Sequence, residues 1–180
     1  MAHTHFKPGQ YDQTVSAFII RTDLDQPRLL LHLHKKLNTL FQPGGHIELN
    51  ENPWQALKHE LLEETGYSLE ELQILQPSTP HITGLPGVTV HPVPVIHSSH
   101  GFEIWPDHFH TDTTYALLAA GGPTGKPDDG ESTDMRWVSL AELNNIPDDE
   151  IIENIRVIGR YVLTTVLSSW IPLPTKNYIA

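Results

Sequence analysis

The sequence contains no cysteine among its 180 residues. That absence excludes a disulfide framework, a thiol nucleophile and thiolate-ligated zinc, and it fits a reducing compartment. Basic residues are scarce too: 11 Lys and Arg stand against 22 Asp and Glu, for a formal net charge of −11. A chain with that balance lacks the electropositive footprint that draws proteins onto a phosphate backbone, which argues against nonspecific nucleic acid binding. A small phosphorylated partner would need a cation to bridge charge to charge. No run of roughly 18 apolar residues occurs, and Met1-Ala2-His3-Thr4-His5 begins no apolar signal segment. The expectation is a cytoplasmic protein with no membrane association.

With 38% hydrophobic residues, the length suits one domain over 1–180, preceded by an N-terminal arm at 1–12. Two apolar runs, 15–20 and 29–34, are rich in strand formers and flank a polar segment holding Asp23, Asp25 and Pro27, so they read as paired strands. Pro43-Gly44-Gly45 breaks the chain before a short strand at 46–49. A helix follows, with Asn52 as cap, Pro53 in its first position, Gln55 three residues after the cap and Gly66 at its end. Prolines 77, 80 and 86 mark 76–87 as loop. Strands are predicted at 88–96, 113–119 and 135–138, with a Gly, Pro and Asp-rich loop at 121–131. From Pro147 onward, Ile151, Ile155, Ile158, Val162 and Val166 recur at helical spacing behind Asp148 and Asp149, which predicts one long amphipathic helix. Its apolar stripe serves either the core or a homodimer face. This alternation of strands and helices implies a single α/β domain, a mixed sheet covered by helices.

The chemistry concentrates on the helix after Asn52. Glu60, Glu63 and Glu64 fall within about 100° of one another around its axis, a carboxylate stripe. Trp54, Leu57 and Leu61 occupy a neighbouring arc that would pack on the sheet. Grouped carboxylates repel unless a counter-charge lies among them, and clustered hard oxygens are what Mg²⁺ or Mn²⁺ prefers when substrate phosphates complete the shell. Taken alone, the stripe also fits a solvated glutamate face. It is not alone: Gly45, five residues, Glu51, seven residues, then His59-Glu60-Leu61-Leu62-Glu63-Glu64-Thr65-Gly66-Tyr67 form one pattern. At background frequencies such a match arises on the order of once in 10⁷ to 10⁸ starts.

This stretch resembles the signature box of the Nudix hydrolases over residues 45–67, and the strand order around it is similar to that family's α/β/α sandwich. The box departs from the family at two positions: His59 replaces arginine, and Tyr67 replaces an aliphatic residue. Tyr67 can still pack as an apolar body. His59 exchanges a permanently charged fork for a shorter ring, mostly neutral at pH 7, from which the glutamates are expected to be held less firmly. The resemblance implies a Mg²⁺- or Mn²⁺-dependent attack of water on a diphosphate linkage in a nucleoside diphosphate derivative or related phosphorylated metabolite. It implies Glu60, Glu63 and Glu64 as metal ligands, Glu64 or a loop carboxylate as helper in deprotonating water, and Glu51 as a brace. Glu131, on the loop before a late strand, is the candidate base, against the reading of a solvated loop acid. Gly44 and Gly45 would let the backbone pass close to the metal site. The alternative from a different class is a non-catalytic nucleotide or metabolite binding module, which His59 favours.

Histidine is abundant, with 12 residues. His108, His110 and Asp112 alternate and so share one face of an extended segment. Successive ones lie roughly 7 Å apart, so they either contribute to a metal or phosphate site with outside help or line a polar pocket or an exposed strand face. His32, His34 and His46 flank the Pro-Gly-Gly turn and either face the substrate, with His46 the candidate contact, or are partly exposed strand-end structure. Lys36, with Lys35, is the nearest cation pair to the box, suited to a substrate phosphate or to a solvated turn. Specificity for the leaving group is expected from the segments 76–87 and 97–112.

Overall fold

A computed structural model describes residues 7–79, 84–102 and 105–178. Parts of three expectations therefore lie outside the described residues: 1–6 of the N-terminal arm, 80–83 of the loop 76–87, and 103–104 of the segment 97–112. The strands are β1 Tyr11–Arg21, β2 Arg28–His34, β3 Thr39–Phe41, β4 Gly44–His46, β5 Leu72–Pro77, β6 Ile96–Phe102, β7 Trp105–Ala119, β8 Met135–Ser139 and β9 Trp170–Pro174. The helices are α1 Pro53–Thr65, α2 Leu140–Asn145, α3 Glu153–Tyr161 and α4 Leu167–Ser169.

All nine strands join one sheet along the path β3-β2-β1-β7-β5-β9, with β4 beside β1, β6 beside β7 and β8 beside β2. The long pairing of β1 with β7 is parallel and the other strand pairings are antiparallel, so the sheet is mixed as expected. Side chains on β1 alternate between two cores. Val15, Ala17 and Ile19 pack with Trp54, Leu57 and Leu61 of α1, whereas Phe18 and Ile20 pack with Leu143 of α2 and Ile155 of α3. The period of two along a doubly covered strand thus makes the three-layer α/β/α arrangement. Each fully buried leucine in these layers contributes about 1.5–3 kcal/mol.

The helix α1 is capped as its sequence dictates. The Asn52 side chain accepts from the Trp54 and Gln55 backbone N–H groups at 3.0 and 2.9 Å, and the Gln55 side chain accepts from Asn52 N at 3.0 Å. Gly66 ends the helix, its N–H bonded to the Leu62 carbonyl.

Several boundaries differ from the sequence expectation. Tyr11 and Asp12 belong to β1 rather than to an arm, because they pair with Phe109 and His110 of β7. The strand expected at 46–49 is β4, which starts two residues earlier and ends three earlier, since Gly44 and Gly45 pair with Ser16 and Val15. Only Ile96 of the stretch 88–96 is in a strand, as Pro92 and Pro94 have no N–H to offer a ladder. The described residues of 97–112, the segment expected to carry specificity, form most of the β6–β7 pair, so the extended form expected at 108–112 reaches well beyond it. The long helix begins at Glu153, not after Pro147. Ahead of it Ile151 bridges Leu40 in parallel, and Leu40 N donates to the Glu150 carbonyl at 2.8 Å. Buried Arg156 fixes that turn by donating to the Ile146 carbonyl at 2.8 Å and to Asp148 at 2.7 Å. Beyond Tyr161 the helix continues through a π-helical turn, Val162–Val166, into α4. Ile151, Ile155, Val162 and Val166 are all buried, so the apolar stripe serves the core.

Candidate active site

The short strand β4 places the glycines of the box against the carboxylates of α1. Gly44 N–H donates to Glu64 Oε2 at 2.8 Å. Gly44 has φ +146°, and a Cβ there would fall 2.7 Å from Ser16 Cα and still closer to the Val15 carbonyl oxygen, so only glycine lets β4 lie this tightly on β1. Gly45 touches the other carboxylate: a Cβ on it would run into Glu60, 2.5 Å from Cδ and 2.8 Å from Oε2. Gly45 thus leaves the space that Glu60 fills, and Gly44 gives its N–H to Glu64.

The carboxylates are not a solvated stripe. Glu64 is 5% exposed and Glu60 is half-buried, while Glu63 faces solvent. Burial pushes the Glu60 carboxyl up to about 7, helped by the negative charges of Glu63 and Glu131 and opposed by His59. Burial likewise holds Glu64 well above the ordinary carboxylate range, against the Gly44 hydrogen bond and with Glu60, Glu131 and Glu63 adding to the rise. Two buried acids with so little positive charge beside them would take up protons unless a cation neutralised them.

His59 occupies the position of the family arginine and does more than its size suggested. Its Nδ1 lies 2.7 Å from Glu51 Oε1 and its Nε2 3.4 Å from Glu60 Oε1, so one ring spans the bracing and the projecting carboxylate. Burial lowers its pKa, but the hydrogen bond to Glu51 and the charges of Glu60, Glu51 and Glu63 outweigh that, and the net shift is upward. The expected neutral ring is thus displaced toward imidazolium, because it has two anionic neighbours. Tyr67 is buried, as expected, and its hydroxyl donates to the Gly121 carbonyl at 2.5 Å.

The loop 121–131 is tied to the end of α1: Gly125 N donates to the Gly66 carbonyl at 3.1 Å and Asp128 N to the Glu63 carbonyl at 2.8 Å. This brings Glu131 near enough for its charge to act on both Glu60 and Glu64. Lys35 secures the same loop through the Gly130 carbonyl at 2.5 Å, so of the two lysines it is Lys36 that lines the adjoining cavity.

That cavity, about 820 Å³, opens on the α3 side of the sheet and is bounded by Gly44, Gly45 and His46, by His32, His34, Lys36 and Gln42, by the β6–β7 pair, and by α3. His32 is 3% exposed, with Nε2 3.9 Å from Glu64 Oε2 and Nδ1 without a hydrogen-bond partner among the described residues. Burial, followed by the charge of His34, lowers its pKa to about 4, so it is a neutral ring. The sequence placed His32 beside the turn, either facing a substrate or partly exposed; it lines the cavity and is buried. The chemistry of Asp12 was missed altogether, although polar Asp12, Thr14 and Ser16 alternate down one face of an otherwise apolar strand.

The face shared by His108, His110 and Asp112 divides in two. Asp112 is buried and accepts from Thr14 Oγ1 at 2.8 Å, Ser16 Oγ at 2.9 Å and Thr114 Oγ1 at 2.6 Å, a structural hub between β1 and β7. His108 and His110 instead meet Asp12 and His46; one ligand atom from each of the four lies within 4.8 Å of the others. Burial, then the neighbouring His46, His108 and His100, lowers His110 to about 3 and keeps it neutral.

The NUDIX domain family matches residues 11–157. Among curated proteins none matches the chain. A crystal structure of a hydrolase of the NUDIX family from Clostridium perfringens is 29% identical, with a TM-score of 0.67 over 86% of this chain and 97% of that one. The C. elegans Ap4A hydrolase in a binary complex is 17% identical, with a TM-score of 0.59 over 86% and 98%. The NUDIX domain of Shewanella oneidensis NrtR complexed with ADP ribose is 19% identical, with a TM-score of 0.54 over 88% and 91%; these last two likenesses concern the fold alone. No described helix is long and apolar enough to cross a membrane. With the box, its glycine gap and the three-layer sheet in one chain, the protein belongs to the Nudix hydrolase family, as an enzyme of the pyrophosphohydrolase type.

Proposed function

We propose that the protein is a divalent-metal-dependent hydrolase of a diphosphate linkage in a nucleoside diphosphate derivative or related phosphorylated metabolite. The observation that carries this reading is the pair of carboxylates held at Gly44 and Gly45, Glu64 buried and Glu60 half-buried, with an excess of negative charge. The donor set suits Mg²⁺ or Mn²⁺, because it is all hard oxygen and because a cation would relieve the repulsion that raises both pKa values. Glu60, Glu63 and Glu64 are the residues to hold it. A divalent ion there supplies charge neutralisation for phosphate oxygens and acidity for a bound water.

The chain's own residues do the rest. Gly44 N–H fixes one oxygen of Glu64, leaving the other for the cation. His59 holds Glu60 against Glu51 and sets its direction. Glu131, brought alongside by the loop anchored on α1, takes the proton of the attacking water. In the cavity, Lys36 meets the phosphorylated ligand, with His32 offering its Nδ1, whereas the buried His46 ring turns to Asp12. The names of two similar structures, an Ap4A hydrolase and a domain holding ADP ribose, support a nucleotide among the substrates to be tried first.

The test is a panel of nucleoside diphosphate derivatives assayed for phosphate and nucleoside monophosphate release with and without Mg²⁺ or Mn²⁺. Turnover that requires the metal and disappears in Glu64→Gln is expected. Glu131→Gln should lower kcat by about 10²–10⁴-fold, the usual contribution of a general base. An unchanged rate would remove Glu131 from the mechanism, and ligand binding without turnover on the whole panel would favour the binding-module reading.

A further inference from the structure

The strand register gathers a second set of metal-binding side chains on residues other than the glutamates. Parallel pairing of β1 with β7 puts Asp12 opposite His110, and antiparallel pairing of β1 with β4 puts His46 two residues along, opposite Thr14. His108 joins because it shares the His110 face of β7. Asp12 Oδ2 lies 3.7 Å from His46 Nε2 and 4.0 Å from His108 Nδ1, and the Nε2 atoms of His108 and His110 are 2.9 Å apart. Asp12 and His46 are 1% and 7% exposed, while His108 and His110 open onto the cavity wall and give an ion a way in.

We propose that Asp12, His46, His108 and His110 form a structural site for a divalent cation of the Zn²⁺ class, distinct from the hard-cation site on the glutamates. Three imidazoles and one carboxylate match a borderline ion and repel none of its preferences, whereas Mg²⁺ seeks oxygen alone. Tetrahedral bonds of about 2.0–2.1 Å set ligand atoms about 3.3 Å apart, and one atom from each of the four residues already lies within 4.8 Å of the others, so side-chain shifts of about an ångström close the shell. Four protein ligands leave no open position, which makes the ion structural rather than catalytic. Its effect would be to pin three strands at one point. One of them, β4, carries the glycines against which Glu60 and Glu64 rest.

The experiment uses the full chain without an affinity tag, stripped with a chelator, reloaded with Zn²⁺ or Co²⁺ alone and then dialysed against excess Mg²⁺. We expect one Zn²⁺ retained per chain, a rise in Tm on adding Zn²⁺, and a Co²⁺ visible spectrum of tetrahedral nitrogen-rich ligation. His108→Ala, at a partly exposed position, should weaken Zn²⁺ binding by more than about tenfold, given that even outer partners of ligands are worth about 10–100-fold. The double variant Glu60→Gln with Glu64→Gln should keep the ion. Failure of the unaltered chain to retain Zn²⁺, retention undiminished in His108→Ala, or loss in the glutamate double variant would each overturn the proposal. The Co²⁺ spectrum of the unaltered chain decides the matter even if a variant fails to fold.

Discussion

Replacing Gly45 by alanine separates folding from function more sharply than any other change at this site. The new methyl would occupy the space of the Glu60 carboxylate, 2.5 Å from its Cδ and 2.8 Å from Oε2. What must yield is the free end of a flexible side chain, at a cost of about 0.5–1.5 kcal/mol for an off-rotamer glutamate. Against this, alanine restricts the unfolded chain and returns about 0.4–1 kcal/mol. The two nearly cancel, so Tm should move by no more than about 2–4 °C for a chain of this size. The carboxylate, however, must retreat by on the order of 1 Å, a misplacement that costs about 10²-fold in rate. At about 1.4 kcal/mol per tenfold, that is about 2.7 kcal/mol of transition-state stabilisation lost without a comparable loss of stability. The assays are thermal unfolding without metal, and kcat with its Mg²⁺ dependence on a substrate from the panel. A folded Gly45→Ala protein with unchanged turnover and unchanged Mg²⁺ dependence would refute the claim that the glycine gap positions Glu60. Gly44→Ala is the contrast. There φ is +146° and the obstruction is the β1 backbone, so strain of about 1–3 kcal/mol and overpacking of about 1–3 kcal/mol both fall on stability.

Asp112→Ala removes the acceptor shared by Thr14, Ser16 and Thr114, and with unsatisfied buried groups costing about 1–3 kcal/mol each it should lower Tm by on the order of 10 °C. An unchanged melting curve would mean that these hydroxyls find other partners. In the presence of a chelator, stability should depend on pH through Glu60. Its folded pKa of about 7 exceeds the unfolded 4.5, so its contribution is complete below pH 4.5 and lost as pH rises through about 7. The stability advantage of the native chain over Glu60→Gln should shrink across that window and recover with Mg²⁺; a gap that stays flat in melts taken from pH 4.5 to 7 contradicts the burial argument. His59→Arg should retain turnover while His59→Ala loses at least about tenfold, since a charge-assisted hydrogen bond contributes about 1.5–3 kcal/mol. Equal kinetics in the two variants would show that the ring does not orient Glu60.

The helix α1 and its chemistry were legible in the sequence because their determinants are local. The Asn52 cap, Pro53 and Gly66 delimit the helix within 15 residues, and the 100° step fixes Glu60, Glu63 and Glu64 to one arc whatever surrounds them. The paired runs of β1 and β2 and the alternating stripe toward the core were equally local. The strand expected at 88–96 overlooked a local signal, since Pro92 and Pro94 offer no N–H to a ladder, whereas the start of the last helix is set by the Leu40 bridge, whose partner lies far away in the chain.

What the sequence by itself determined is therefore the box, its helix and the α/β class, all properties of spacing along one segment. Only the tertiary structure decided that Glu60 and Glu64 are buried against Gly45 and Gly44, that His59 bridges two carboxylates, and that Asp112 serves packing. It also decided that Asp12 and His46 join His108 and His110. Each of these depends on the register of β1 with β4 and β7, and register is set by the burial of whole strand faces rather than by any short stretch of residues.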